Sequence, residues 1–376
     1  VLRLGKFRDI SLIGSADIIG TAISSIFWLF LASQIPPEDY GEISYFLGIA
    51  GIAAAFVLIG TQNSITVYSS KNTKIESTLY SISLLLGVIA SFIIMVIFYR
   101  VDVIFLLFGY VINTLAMGEL LGKKDFFSYS KHILIQKILT LFLGLLFFLI
   151  FDIDGIIFAL AISYIFFTII IINRFRKTKI DFNLLKDHSK FILGNYIIEI
   201  ITKSNTHLNK FLIVPILGFA ILGNFSLAMQ LINVGLVFTL IVFKYTISYD
   251  AQGQENKKLK KITLFISIGI SLLGAAIAPS VIPIFFAEYV DVVEVVQIAI
   301  FGIIPLTITK LYASKLLGQE NTRQILFGKT ISMVSFIATI VILGPIYGII
   351  GVAIGYLFST ILESICLIPK NQIIKR

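Results

Sequence analysis

The sequence is short of cysteine, histidine and charge. A single cysteine, Cys366, in 376 residues excludes an internal disulfide and leaves no thiol cluster for a metal or a redox pair. Only three histidines occur, and His132 and His188 fall in basic loops, so no metal site is expected. Charged residues make up 14% of the chain, where soluble domains carry about 25%. No G-x-x-x-x-G-K-S/T phosphate loop occurs, so ATP hydrolysis by this chain is not expected. No polar segment exceeds about twenty residues, which leaves no room for an extramembrane catalytic domain.

Apolar residues fill the space that charge vacates. The chain is 57% hydrophobic and holds 33 Phe. Helix-length apolar segments fall at roughly 10–34, 43–63, 79–99, 103–122, 133–151, 155–173, 190–217, 222–243, 262–286, 292–316, 325–343 and 346–369. Runs such as LFLGLLFFLIF do not alternate, which argues against a β-barrel. A lone span must satisfy its own backbone hydrogen bonds in lipid, so helices are required. The first segment is too long for a signal peptide, lacks a small-residue cleavage site, and is read as a retained span. The expected class is an all-α integral membrane protein with about twelve transmembrane helices.

Charge orients these spans. The even-numbered gaps carry Lys71 and Lys74; Lys123, Lys124 and Lys131; RFRKTKIDFNLLKDHSK; Lys244 with QENKKLKK; and Arg323 and Lys329. Arg3, Lys6 and Arg8 precede the first span, and Lys370, Lys375 and Arg376 follow the last. The odd-numbered gaps read PPEDYGE, YRVD, DIDG, AEYVDVVE and GPIYG, with Arg100 as their only base. This bias predicts a multi-pass protein of the inner cell membrane with both termini in the cytoplasm. The net charge of +9 is accounted for by these loops, and no nucleic-acid partner is implied.

The chain also repeats itself. DGIIFALAISYIFFT from Asp154 matches YGIIGVAIGYLFST from Tyr347, 193 positions later. EDYGEISYFLGIAGI from Glu38 matches AILGNFSLAMQLINV from Ala220, 182 positions later, aligning Gly41 with Gly223 and Ser44 with Ser226. An even number of spans separates the copies, so the expected architecture is two parallel-repeat six-helix bundles around a central cavity. The bundles are placed at 1–176 and 190–376, joined by a basic cytoplasmic linker at 177–189.

Four stretches carry a family resemblance: LASQIPPEDYGEISYF, LGNFSLAMQLINV, PIFFAEYVDVVEVVQI and YGIIGVAIGYLFST. In this order, over nearly the whole chain, they resemble the polysaccharide-transporter branch of the multidrug/oligosaccharidyl-lipid/polysaccharide (MOP) flippase superfamily. The resemblance implies two six-helix bundles forming a V and the outward flipping of polyprenyl-diphosphate-linked oligosaccharides. Two departures bear on coupling and substrate. Asn209 stands where the family often has an Asp, and KYTISYDAQGQ lacks the expected proline.

The polar residues of the seventh segment are the candidate site. Asn195, Glu199, Lys203, Thr206 and Lys210 are spaced four, four, three and four apart and share one helical face. The 182-residue offset places Asp17, Thr21, Ser24 and Trp28 opposite Glu199, Lys203, Thr206 and Lys210 as a matching stripe on the first span. Charge in lipid is expensive, so such faces turn to protein or water. One reading pairs Glu199 with Lys203 as helix glue. The other puts Lys203 and Lys210 against an anionic headgroup, with Asn195, Asn205, Thr206, His207 and Asn209 hydrogen-bonding sugar hydroxyls. Asp17 and Glu199 are candidates for ion coupling, and Asp17 is equally open to pairing with Arg8 or another base. Lys310 is divided between snorkelling and the cavity, whereas Lys137, Lys244 and Lys315 are read as snorkelling. Glu119 and Glu363 are read as solvated or paired.

These residues favour a secondary transporter without cofactors, not an enzyme. The leading expectation is a flippase for an anionic lipid-linked oligosaccharide, working in the bilayer beside a polysaccharide polymerase or glycosyltransferases. A multidrug exporter of the same superfamily is the second, although a site for cations would favour acids over lysines. A membrane glycan polymerase or glycosyltransferase is third, since the outer loops are too short to present its acids.

Overall fold

The computed structural model describes residues 2–71, 73–250, 256–318 and 322–368, with side chains from residue 12 onward except at 205, 244 and 247–249. Asn205, Lys244, Arg3, Lys6, Arg8, Lys370, Lys375 and Arg376, on which the sequence argument drew, therefore lie outside the described side chains. Every described element is helical. In order they are α1 Leu2–Ala32, α2 Pro37–Val57, α3 Gln62–Ser70, α4 Glu76–Phe98, α5 Val101–Gly122, α6 Phe126–Phe151, α7 Asp154–Ile162 and α8 Thr168–Lys177. Then follow α9 Phe182–Leu217, α10 Phe219–Asp250, α11 Lys257–Phe285, α12 Val292–Ala299, α13 Ile303–Gly318 and α14 Thr322–Leu367.

Among the described residues, ten helices are long and apolar enough to cross a membrane. Two of these crossings are pieced together. α7 joins α8 through a 3-10 turn at Ile165–Phe167, and α12 joins α13 through another at Ile300–Gly302. α9 is 36 residues long but is not among these ten; only its Thr206–Leu217 stretch is apolar on average, and that stretch still carries His207, Asn209 and Lys210.

α14 holds two of the expected spans in one continuous element of 46 residues. The chain turns at Gly348, whose φ of 57° suits glycine. After the turn, Gly351 lies on the Leu343 carbonyl, where any Cβ would overlap it, and Gly355 meets Thr339. Gly328 meets Leu367 at the far end. These pairings run in opposite directions along the sequence, so α14 is an antiparallel helical hairpin, in agreement with the separate segments read at 325–343 and 346–369.

α3 was not anticipated. The second apolar segment was extended to 63, but α2 ends at Val57 and a short helix starts after Thr61, whose Oγ1 accepts the Ser64 N–H at 3.2 Å. That cap makes the local sequence a helix start rather than a span end. α3 packs on α5 at Gly118 and Gly122, and Thr66 Oγ1 donates to the Gly118 carbonyl at 3.0 Å.

By packing, the chain forms two compact units. The first comprises Val1–Phe27 and Phe46–His207, the second Trp28–Tyr45 and Leu208–Arg376. α1, α2 and α9 each contribute to both. Within the second unit, α2 and α10 cross at the two glycines that the repeat aligned. A Cβ on Gly41 would overlap the Phe219 carbonyl, and one on Gly223 would overlap the Pro37 carbonyl. Gly223 follows Gly41, and Phe219 follows Pro37, by the same 182 positions, so the crossing reciprocates in the register of the internal repeat. Beside it Tyr289, fully buried, donates to the Ile35 carbonyl at 3.0 Å and meets Tyr40 edge-on at 6.2 Å.

Candidate functional site

The polar face lies on α9, which runs unbroken to Leu217 and is ended by Gly218 at φ 89°. Within the first unit, Asn195, Glu199, Lys203, Thr206 and His207 all belong to this helix. Lys203 Nζ stands 3.9 Å from Glu199 Oε1, with the two side chains 41% and 17% exposed. That is a long, open ion pair. The Asn195 amide donates to the Phe191 carbonyl at 3.0 Å, and the Thr206 hydroxyl donates to the Thr202 carbonyl at 3.2 Å. These back-bonds satisfy one donor each and leave acceptor capacity on both side chains.

His207 sits differently. Its ring lies on Gly51 of α2, so closely that a Cβ at position 51 would come within 2.6 Å of the imidazole. The missing side chain at Gly51 makes the imidazole's seat. Residues 199, 203 and 207 are each four apart, so His207 continues the Glu199–Lys203 row. The spacing of four, four, three and four puts Thr206, not His207, on that line.

On α1, Thr21 donates to the Asp17 carbonyl at 2.7 Å. Asp17 acts electrostatically on Lys137 and Tyr129 of α6, and the Lys137 stem lies along Gly20. The Lys137 stem is thus packed on α1 within the first unit.

Asn209, Lys210 and Lys310 belong to the second unit. Asn209 Oδ1 accepts the Lys210 backbone N–H at 2.8 Å. Lys310, on α13, lies over the Phe243 ring at 5.5 Å and interacts with Lys329 and Glu363 of α14. Its surroundings are protein groups of its own unit. Trp28, the last residue of the α1 stripe, packs edge-on to Tyr40 at 6.1 Å in the second unit.

The strongest electrostatic assemblies were not foreseen as such. In the first unit Glu119, buried, accepts from Arg174 at 2.7 Å, from the Tyr80 hydroxyl at 2.8 Å and from Lys123. Glu76 lies 3.9 Å from Arg174 and accepts from Ser69 Oγ at 2.8 Å. These residues tie α3, α4, α5 and α8 together. In the second unit Asp250, with a side chain only 1% exposed, is held by Lys260 at 2.7 Å and by the Ser314 hydroxyl, joining α10, α11 and α13. Glu363 is also buried, and its partners include Ser332 and the two lysines already named. In sequence Glu76, Glu119, Arg174, Asp250 and Lys260 all sit at the ends of apolar runs, where solvent is the default expectation. Opposite charge on successive helix ends was the available signal. Among the described residues no group of three His, Cys, Asp or Glu lies close enough to hold a metal ion.

No protein-family model and no curated protein sequence matches the chain. Solved structures do. An inward-facing multidrug resistance MATE family transporter of the MOP superfamily is similar at TM-score 0.70 and 18% identity, over 93% of this chain and 92% of that one. The lipid II flippase MurJ in an inward closed conformation is similar at TM-score 0.74 and 16% identity, over 95% of this chain and 86% of that one. An outward-facing MATE transporter gives TM-score 0.65 and 17% identity, over 95% and 93%. With its helices in this order and this likeness along nearly its full length, the chain has the fold of the MOP-superfamily transporters.

Proposed function

We propose that the protein is a secondary transporter that flips a polyprenyl-diphosphate-linked oligosaccharide from the cytoplasmic to the outer leaflet of the inner cell membrane, for cell-surface polysaccharide synthesis. The observation that carries this reading is the state of Lys203. An ammonium on α9, 41% exposed and 3.9 Å from Glu199, is poorly neutralised by the protein and suited to an anionic ligand. Lys210, seven residues on, extends the same face toward a second phosphate. Asn195, Asn205, Thr206, His207 and Asn209 supply sugar contacts from the same helix, and Lys310 adds a basic group in the second unit. Asp17 and Glu199 are the residues proposed for ion coupling.

The repeat halves 1–176 and 190–376 would rock about the linker 177–189, with the lipid tail left in the bilayer while the headgroup crosses. The basic loops, taken as cytoplasmic, concentrate the anionic donor. A polymerase or glycosyltransferase would use the product on the far side. The solved structures of this fold include both multidrug transporters and a lipid flippase, so export of amphipathic cations is the competing reading.

The test is translocation in proteoliposomes. A fluorescent polyprenyl-diphosphate oligosaccharide is expected to cross with wild type and to slow with Lys203→Ala, and a cationic dye is expected to stay put. Dye movement without glycolipid movement would establish the exporter and leave the lysine face structural.

A further inference from the structure

The sixth membrane crossing leaves its helical path near the middle. α7 stops at Ile162, Ser163 and Tyr164 turn, Ile165–Phe167 forms the 3-10 turn, and α8 resumes at Thr168. A break at membrane depth is tolerated only where polar groups are satisfied by other protein groups. Here a buried trio does so. Gln136 of α6 donates to Thr140 Oγ1 at 2.8 Å and to Ser163 Oγ at 3.1 Å, and Ser163 donates to the Leu160 carbonyl at 2.6 Å.

Against the same break lies a cavity of about 320 Å³ between α5, α7 and the start of α8. Phe105, Phe108 and Phe158 line it with the ring of Tyr164, which fits because Gly109 has no side chain; a Cβ there would come 2.8 Å from that ring. No lining residue is charged. An apolar cavity stays dry, and left empty it forfeits the contacts its walls would otherwise make. Its rim is open, with Phe105 54%, Ile162 37% and Ile165 66% exposed, and the exposed apolar surface continues to Ile169. In a helix that crosses the membrane, that surface is covered by bilayer hydrocarbon, and the cavity is an inward extension of it.

We propose that this cavity is a binding site for one acyl chain of a bilayer phospholipid, inserted at the mid-membrane break of the sixth crossing. The far end of an acyl chain lies at that depth, so the lipid enters without moving its headgroup. The chain supplies the aromatic walls with packing that the interrupted helix cannot, and lipid occupancy thereby becomes part of how the break is held.

The experiment is photolabelling of the full chain in liposomes, with a phosphatidylcholine bearing a diazirine near the end of one acyl chain and peptide mapping by mass spectrometry. Label is expected to concentrate on Phe105, Phe158 and Ile165, above the level at Phe142 and Leu149 of α6, which are 64% and 81% exposed and are not among the lining of this cavity. Ile162→Trp fills the space and is expected to abolish the enrichment while α6 labelling is unchanged. Thr168→Phe fills it from the other wall and serves if the first variant does not elute as a monodisperse species. Equal labelling of both faces would overturn the site. Enrichment seen only with a diazirine-bearing polyprenyl phosphate, and not with the phospholipid, would overturn the assignment of its occupant.

Discussion

Glu119 on α5 and Glu199 on α9 are both helix carboxylates of the first unit, and the protein treats them in opposite ways. Glu119 is buried and accepts three side-chain hydrogen bonds, from Arg174, Tyr80 and Lys123. Glu199 has one base, Lys203, at 3.9 Å, and that base is 41% exposed. The first arrangement is a closed set in which charges neutralise one another and lock four helices. The second leaves charge unspent on a helix face. Burial of ions is tolerated only with full pairing, so a charge in a membrane protein that is neither fully paired nor removed points to a ligand.

This comparison is most sharply broken at Arg174. Arg174→Met leaves Glu76 and Glu119 buried against a single remaining base, and is expected to cost about 3–5 kcal/mol. A thermal melt in detergent would show it, and Glu119→Gln in the same chain should return part of the loss. Asp250→Ala removes the carboxylate that accepts from Lys260 and Ser314, and about 3 kcal/mol is expected by the same measurement. Gly223→Leu forces a side chain into the α2–α10 crossing, with about 1–3 kcal/mol of overpacking and a loss of transport in proteoliposomes. At the other end of the scale stands Lys203→Ala. An open i,i+4 pair contributes about 0.3–0.5 kcal/mol, so the melt should hardly move while glycolipid translocation falls. A Lys203→Ala protein that melts as early as Arg174→Met would mean that the two carboxylates play the same role and that the α9 face is structural.

How legible these features were in the sequence depends on their range. The spans follow from apolar length, and the α14 hairpin follows from the break at GPIYG, where Gly348 leaves helical geometry. The repeat register was read from Gly41 and Gly223, and the crossing of α2 and α10 uses those two residues at that offset. The α9 face was legible because helical spacing alone brings Glu199 next to Lys203. His207 was placed among the polar residues but not on the row, because its seat is Gly51, which lies 156 positions away. α3 was missed because a cap at Thr61 is a short signal inside an apolar stretch.

By itself, then, the sequence determined an all-helical membrane protein, its repeat and the helix that carries the Glu199–Lys203 face, since all three rest on local periodicity and on the cost of polar groups in lipid. Only the tertiary structure decided which charges are spent. Glu76, Glu119 and Arg174 meet because α3, α4, α5 and α8 pack. Pairing between helices depends on distance in space, and no periodicity along one chain encodes it.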